Sequence, residues 1–221
     1  MYRRIFCFMS FLMASYVAFN QGGSIGFHVI GNHTSFQAET LTPIGEKLPK
    51  WKTGYGMGGN YTYELNEKIG FRGEMNVERL GAKYNVYFTD ENGNVTGNGE
   101  SKISLDYVAV PLLVQLKTGD RHQFLFHVGT AFKLLVNQSV HNPVTVDMKE
   151  LNIWPGFDKL SDYNRTDQSV QGGVGYSFPF LATKRLCING RYEHGLLNVS
   201  KKDKYLTGNN RSFSLFIGVQ I

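Results

Sequence analysis

QFLFHVGTAFKLLV, residues 123–136, decides the fold. Its even positions are Phe124, Phe126, Val128, Thr130, Phe132, Leu134 and Val136. Its odd positions include Gln123, His127, Gly129, Ala131 and Lys133. One face is apolar almost throughout and the other is small or polar. A period of two is the period of a β-strand, and two unlike faces mean two unlike environments.

The same split recurs along the chain. In residues 53–65, Tyr55, Met57, Tyr61, Tyr63 and Leu65 oppose Gly54, Gly56, Gly58, Asn60, Thr62 and Glu64. In residues 68–78, Ile69, Phe71, Met75 and Val77 oppose Arg72, Glu74, Asn76 and Glu78. In residues 170–180, Val174, Tyr176, Phe178 and Phe180 oppose Gln171, Gly173, Gly175 and Ser177. In residues 186–196, Leu186, Ile188 and Tyr192 oppose Asn189, Arg191 and Glu193, and the last strand sets Phe213, Leu215, Ile217, Val219 and Ile221 against Ser212, Ser214, Gly218 and Gln220. Residues 24–30 alternate over a shorter run. Residues 102–117 change phase: Ile103, Leu105 and Tyr107 are followed by Val108, Val110, Leu112, Val114 and Leu116. A one-residue slip flips the faces of a strand, so a β-bulge near Tyr107 is expected.

These are eight strands. The segments between them alternate long and short. Long connections are expected near 32–51, 85–101, 138–166 and 200–209, and short ones at 66–67, 118–121 and 182–183. Such alternation predicts an all-β, eight-stranded, antiparallel up-and-down transmembrane barrel with short periplasmic turns and long outer loops. A soluble barrel would have to bury the face that carries Arg72, Glu74, Lys133, Arg191 and Glu193, at a heavy desolvation cost. Turned the other way, the apolar face meets membrane lipid and the polar face lines the lumen. Tyr61, Tyr63, Tyr176, Phe178, Phe180 and Tyr192 suit interfacial aromatic girdles. Eight strands enclose a lumen that side chains fill. A polar network of Glu64, Arg72, Glu74, His127, Lys133, Arg191 and Glu193 is therefore expected there, with inward glycines leaving room for it.

The start of the chain points to export. Met1 to Arg4 is short and basic, and Ile5 to Phe19 carries no charge. Such a segment reads as a secretory signal peptide over residues 1–20, which leaves a barrel domain over 21–221 in the outer membrane. Loss of Arg3 and Arg4 would lower the formal charge from +5 to +3 (5 − 2) and leave Cys187 as the sole cysteine. No internal disulfide is then available. No Lys/Arg run exceeds a pair, so nucleic acid is not an expected partner. A literal GxGxxG at 54–59 lies inside a period-two strand rather than between a strand and a helix, which removes its dinucleotide meaning. No cofactor, metal or catalytic constellation is expected. Ser139, His141 and Ser177 are the residues an outer-membrane lipid hydrolase or acyltransferase would draw on, but nothing in the spacing pairs them.

The segment 138–166 carries Trp154, Phe157 and Tyr163. An exposed aromatic cluster there would be a partner-binding loop. The same residues could instead fold back as an apolar clasp over the barrel mouth.

Four segments carry a resemblance: DYVAVPLLV at 106–114, GGVGY at 172–176, GRYEHGLLNV at 190–199 and FSLFIGVQI at 213–221. Their grammar resembles the PorT-like outer-membrane β-barrel family of Bacteroidetes. The resemblance implies an outer-membrane location, and the long outer loops are expected to carry a structural or interaction role. The resemblance also implies a link to protein secretion, with secretion-system or cell-surface proteins as partners.

Overall fold

A computed structural model describes residues 23–38, 49–89, 95–141, 160–181, 183–201 and 208–221. The expected signal segment lies outside them, as do Trp154 and Phe157. Eight strands form the barrel. They are β1 (Gly23–Ala38), β2 (Lys52–Glu64), β3 (Ile69–Thr89), β4 (Val95–Thr118), β5 (Gln123–His141), β6 (Thr166–Leu181), β7 (Lys184–Asn198) and β8 (Gly208–Gln220). Each pairs antiparallel with its neighbour in sequence, and β1 closes on β8 through pairs from Gly26↔Gln220 to Ala38↔Gly208. Closure leaves no edge to desolvate in lipid.

The period-two faces sort as the alternation requires. Phe124, Phe126, Val128, Phe132, Leu134 and Val136 of β5 are exposed, while His127, Ala131, Lys133 and Leu135 are buried. On β4 the outward apolar residues run from Val108 to Leu116. Those nine positions match the 9–11 residues a tilted strand needs to cross the hydrocarbon. Aromatic contacts gather at both ends of the band: Phe124, Tyr176 and Phe178 near the short turns, and Trp51, Tyr192 and Phe213 on the loop side. The short turns are tightly made. Asn66 Oδ1 accepts from the amides of Lys68 and Ile69, both at 2.9 Å, and Gly119 takes φ +90° before β5.

Three expectations need correction. The segment near 32–51 begins as strand, because β1 continues to Ala38. Most of the segment near 85–101 is strand: β3, of 21 residues, runs to Thr89, and β4, of 24, begins at Val95 and pairs with it as a hairpin. Twice the length needed to cross a membrane puts much of that hairpin beyond it.

The bulge is the third. A register shift does occur beside Tyr107, where Asp106 pairs with Asn137 but Tyr107 pairs with Leu135. The extra residue is Val136, on β5 and not on β4. β4 keeps its phase: Ile103, Leu105, Tyr107, Ala109 and Leu113 are all buried inside. What changes along β4 is the surroundings. Within the membrane the interior is polar and the exterior apolar. Beyond it Phe36, Leu80, Tyr84, Ile103, Leu105, Tyr107, Leu135, Tyr163 and Val199 form an apolar core inside the barrel. Their strands there turn polar residues outward, among them Lys83, Glu100, Lys102 and Asp106. The barrel thus continues out of the membrane as a water-soluble one, with the polarity of its faces exchanged.

Tyr107 is wholly buried at the base of this plug. Its hydroxyl accepts from Asn210 Nδ2 at 3.3 Å, and the Lys133 ammonium lies 5.8 Å from its ring centre. Tyr107→Ala is expected to cost about 3–5 kcal/mol, as truncation of other buried aromatics does. A urea-unfolding series of the refolded barrel measures it.

Candidate functional site

The lumen below the plug holds the charged residues. Glu74 on β3 is its centre, with a side chain fully shielded from solvent. Arg72 Nε donates to Glu74 Oε1 at 2.6 Å. From across the barrel, Arg191 on β7 donates from Nη1 and Nη2 to both oxygens of the same carboxylate, each at 2.9 Å. The paired, planar geometry suits a guanidinium meeting a carboxylate out of water. Asn76 adds a third donor at 3.1 Å. The Arg191 guanidinium also lies 4.2 Å from the ring centre of Phe216, an inward apolar residue of β8.

A second group stands loopward of the first. Lys133 on β5 is bonded to Glu193 on β7 and lies 3.5 Å from Glu78 on β3. Gln171 joins the two groups. It donates to Glu193 at 2.5 Å and accepts from Arg191 at 3.2 Å. Arg72, Lys133 and Arg191 therefore balance Glu74, Glu78 and Glu193. Charges buried in a narrow lumen require such balance, because an unpaired ion there carries a large desolvation penalty. The inward glycines face this network. At Gly218, for example, a Cβ would come within 2.7 Å of His28 Cβ.

Of the seven expected lumen residues, five meet in these two groups. His127 is buried in the lumen but bonds to Gln115 at 3.1 Å rather than to a charge. Glu64 belongs elsewhere: it pairs with Lys117 at the periplasmic end, beside a vestibule of about 160 Å³ that Arg185 and Gln220 also line. Its expected place is taken by Glu78. The alternation put Glu78 on the polar face, but only barrel closure brings β3 within reach of Lys133. His28 was missed for the same reason; it meets Asn76 at 2.9 Å.

Tyr163 is also corrected as a partner-binding residue. It is fully buried in the plug and bridges to Ser200. The short 3-10 turn Leu160–Asp162 leads into it. Ser139 and His141 both point away from the interior and are exposed. Ser177 is buried, bonded to Arg185 at 2.8 Å and to Cys187 at 3.4 Å. Among the described residues, no group of three His, Cys, Asp or Glu side chains is placed to hold a metal ion.

At the outer rim of the apolar band the strands carry a polar ladder. Arg79 on β3 donates to both oxygens of Asp106 on β4, at 2.6 and 2.9 Å. Arg79 also reaches the Tyr55 hydroxyl at 3.2 Å, and Asn137 on β5 donates to Asp106 at 3.0 Å. It sets the level at which the wall leaves hydrocarbon.

An apolar belt, a neutral ionic lumen and closed antiparallel pairing together define a small membrane-spanning β-barrel of the outer-membrane type. The chain belongs to the family described as outer membrane protein beta-barrel domain, whose model matches residues 14–201. Among solved structures it is similar to the outer membrane protein OprG from Pseudomonas aeruginosa, at 11% identity, with 90% of this chain and 94% of that one covered and a TM-score of 0.51. It is also similar to Neisserial surface protein A (14% identity, 90% and 98% covered, TM-score 0.48). A third likeness is to Ail, the attachment invasion locus protein of Yersinia pestis (12% identity, 90% and 99% covered, TM-score 0.43). Likeness at such identities speaks for the fold alone. No curated protein matches the chain. The protein is an outer-membrane barrel in a lipid environment.

Proposed function

We propose that this barrel is an interaction protein rather than a conduit, and that it meets its partner through the β3–β4 hairpin. One observation carries the proposal: a 21-residue and a 24-residue strand run paired far past the membrane. Nothing about anchoring needs that length. On the outer face of the hairpin Glu100 lies 3.4 Å from Lys83 and 3.3 Å from Lys102, which gives the projecting wall a specific polar surface. The neutral ionic lumen and the apolar plug above it argue against passage of a solute.

A photo-crosslinking residue at Lys102 tests the proposal in growing cells. Discrete adducts are expected from position 102 and none from Met57, which faces lipid. Planar-bilayer recordings should show no steady conductance. Absence of adducts along the hairpin, together with a stable open current, would replace the proposal with a transport role. In a narrower form the partner is a subunit of a protein secretion system, which the PorT-like segments at 106–114 and 190–199 support. Recovery of secretion subunits with the crosslinked barrel separates that form from contact with other cell-surface proteins.

A further inference from the structure

The outer wall is not evenly covered. Across β1, β8, β7 and β6 the outward residues run Gly31, Leu215, Gly190 and Val174 in successive pairing. A Cβ on Gly31 or on Gly190 would meet nothing within 4 Å. Leu215 thus stands between two bare positions, and the wall is hollowed beside it. With Tyr192 and Phe213 on its loop side, this is a shallow groove of about 690 Å³, open along its length. It opens onto the hydrocarbon, so its occupant is apolar along its length.

The loopward end of the groove is cationic and aromatic. Phe213 contacts Tyr192 at 4.8 Å and Trp51 at 5.6 Å between ring centres, and Trp51 stacks on His33 at 5.3 Å. The Arg211 guanidinium lies 5.0 Å from the Trp51 ring centre. Arg211 is four residues nearer the loops than Leu215, and it pairs across strands with Ser35 and His194. Its Nε is buried and has no hydrogen-bond partner among the described residues. The other outward arginine at the rim, Arg79, is fully matched by Asp106. Among the described residues, Arg211 has no carboxylate partner.

We propose that this groove is a binding site for one phosphorylated, acylated lipid of the outer leaflet. An acyl chain lies along Gly31, Leu215 and Gly190, and the lipid phosphate accepts from Arg211 above it. Charge complementarity selects the headgroup, because a cation held at the interface with no carboxylate among the described residues binds an anion that the membrane itself supplies. The missing side chains at Gly31 and Gly190 select the chain, because close contact along a groove recovers dispersion that a rough wall would lose.

Native mass spectrometry of the mature barrel in dodecyl maltoside, titrated with bis-phosphorylated lipid A, tests the site. Wild type should retain one lipid. Arg211→Gln should weaken retention about tenfold or more. Gly31→Leu combined with Gly190→Leu should reduce it to background, and a Cβ at either position meets no atom within 4 Å. Lipid A stripped of its phosphates should bind wild type no better than intact lipid A binds Arg211→Gln. Each variant is first shown to shift on heating in a gel as wild type does. Should the glycine double variant fail to fold, Arg211→Gln and the stripped lipid still decide. The proposal is overturned by an Arg211→Gln barrel that titrates like wild type, or by undiminished lipid on the leucine variant. It is equally overturned if wild type carries a dimer, and no lipid, that the leucine variant loses; the groove is then a seat for a second copy.

Discussion

Glu74→Ala lowers the stability of the refolded barrel by about 3–5 kcal/mol, the cost of breaking a buried ion pair by removing one partner. The expectation rests on geometry more than on count. Glu74 takes four hydrogen bonds from charged and amide donors, two of them from Arg191 across the lumen at 2.9 Å each. Removing the carboxylate leaves the Arg72 and Arg191 guanidiniums in one narrow space with no counter-charge. Glu74→Gln should be nearly as damaging, since an amide keeps the shape but loses the charge. Glu100→Ala, on the exposed pairs with Lys83 and Lys102, should barely move the transition, because solvent screens such pairs. Urea unfolding in lipid vesicles, followed by tryptophan fluorescence, compares the three. Equal midpoints for Glu74→Ala and Glu100→Ala would show that water enters the lumen freely and that the ionic network is ornamental.

Met75→Arg, one residue along, is expected to cost about 2–4 kcal/mol for the opposite reason. Met75 is 66% exposed and faces outward within the apolar band of β3. In water such exposure would make an arginine harmless. In lipid the same exposure is what makes it costly, because the ion must be dragged to the interface or hydrated in place. The effect should appear as slower folding into vesicles and an earlier unfolding midpoint. In detergent, where water lies close to the protein surface, the penalty should shrink. A neutral outcome in vesicles would place β3 outside the hydrocarbon and undo the assignment of faces.

Much of the fold was legible because the membrane reads a strand one residue at a time. Phe124, Phe126 and Val128 alternate with Leu125, His127 and Gly129, and no contact needs to be known to see two environments in that order. The lumen set was legible for the same reason: Arg72, Glu74, Lys133, Arg191 and Glu193 could lie nowhere else. Glu64 and Glu78 show the limit. Both are on the polar face of their strands, and only their heights in the closed barrel send one to Lys117 and the other to Lys133. Tyr163 shows another limit, since an aromatic in a long connection reads alike whether it faces water or turns inward.

Residues 102–117 mark the boundary between the two kinds of information. Alternating polarity alone specified that β4 crosses a membrane and that its character changes at Tyr107. It could not say whether the strand slips or the solvent does. In the closed barrel Ile103, Leu105 and Tyr107 stay on the same face as Ala109 and Leu113, and the extra residue is Val136 on the neighbouring strand. The change is in the medium. Lipid outside calls for a polar lumen, and water outside calls for an apolar one, so one unbroken strand carries both patterns. The strand and its faces were local properties, set by period and polarity. The partners, the plug and the level at which lipid gives way to water arise only when eight strands close, because each depends on which residues of distant strands stand at the same height.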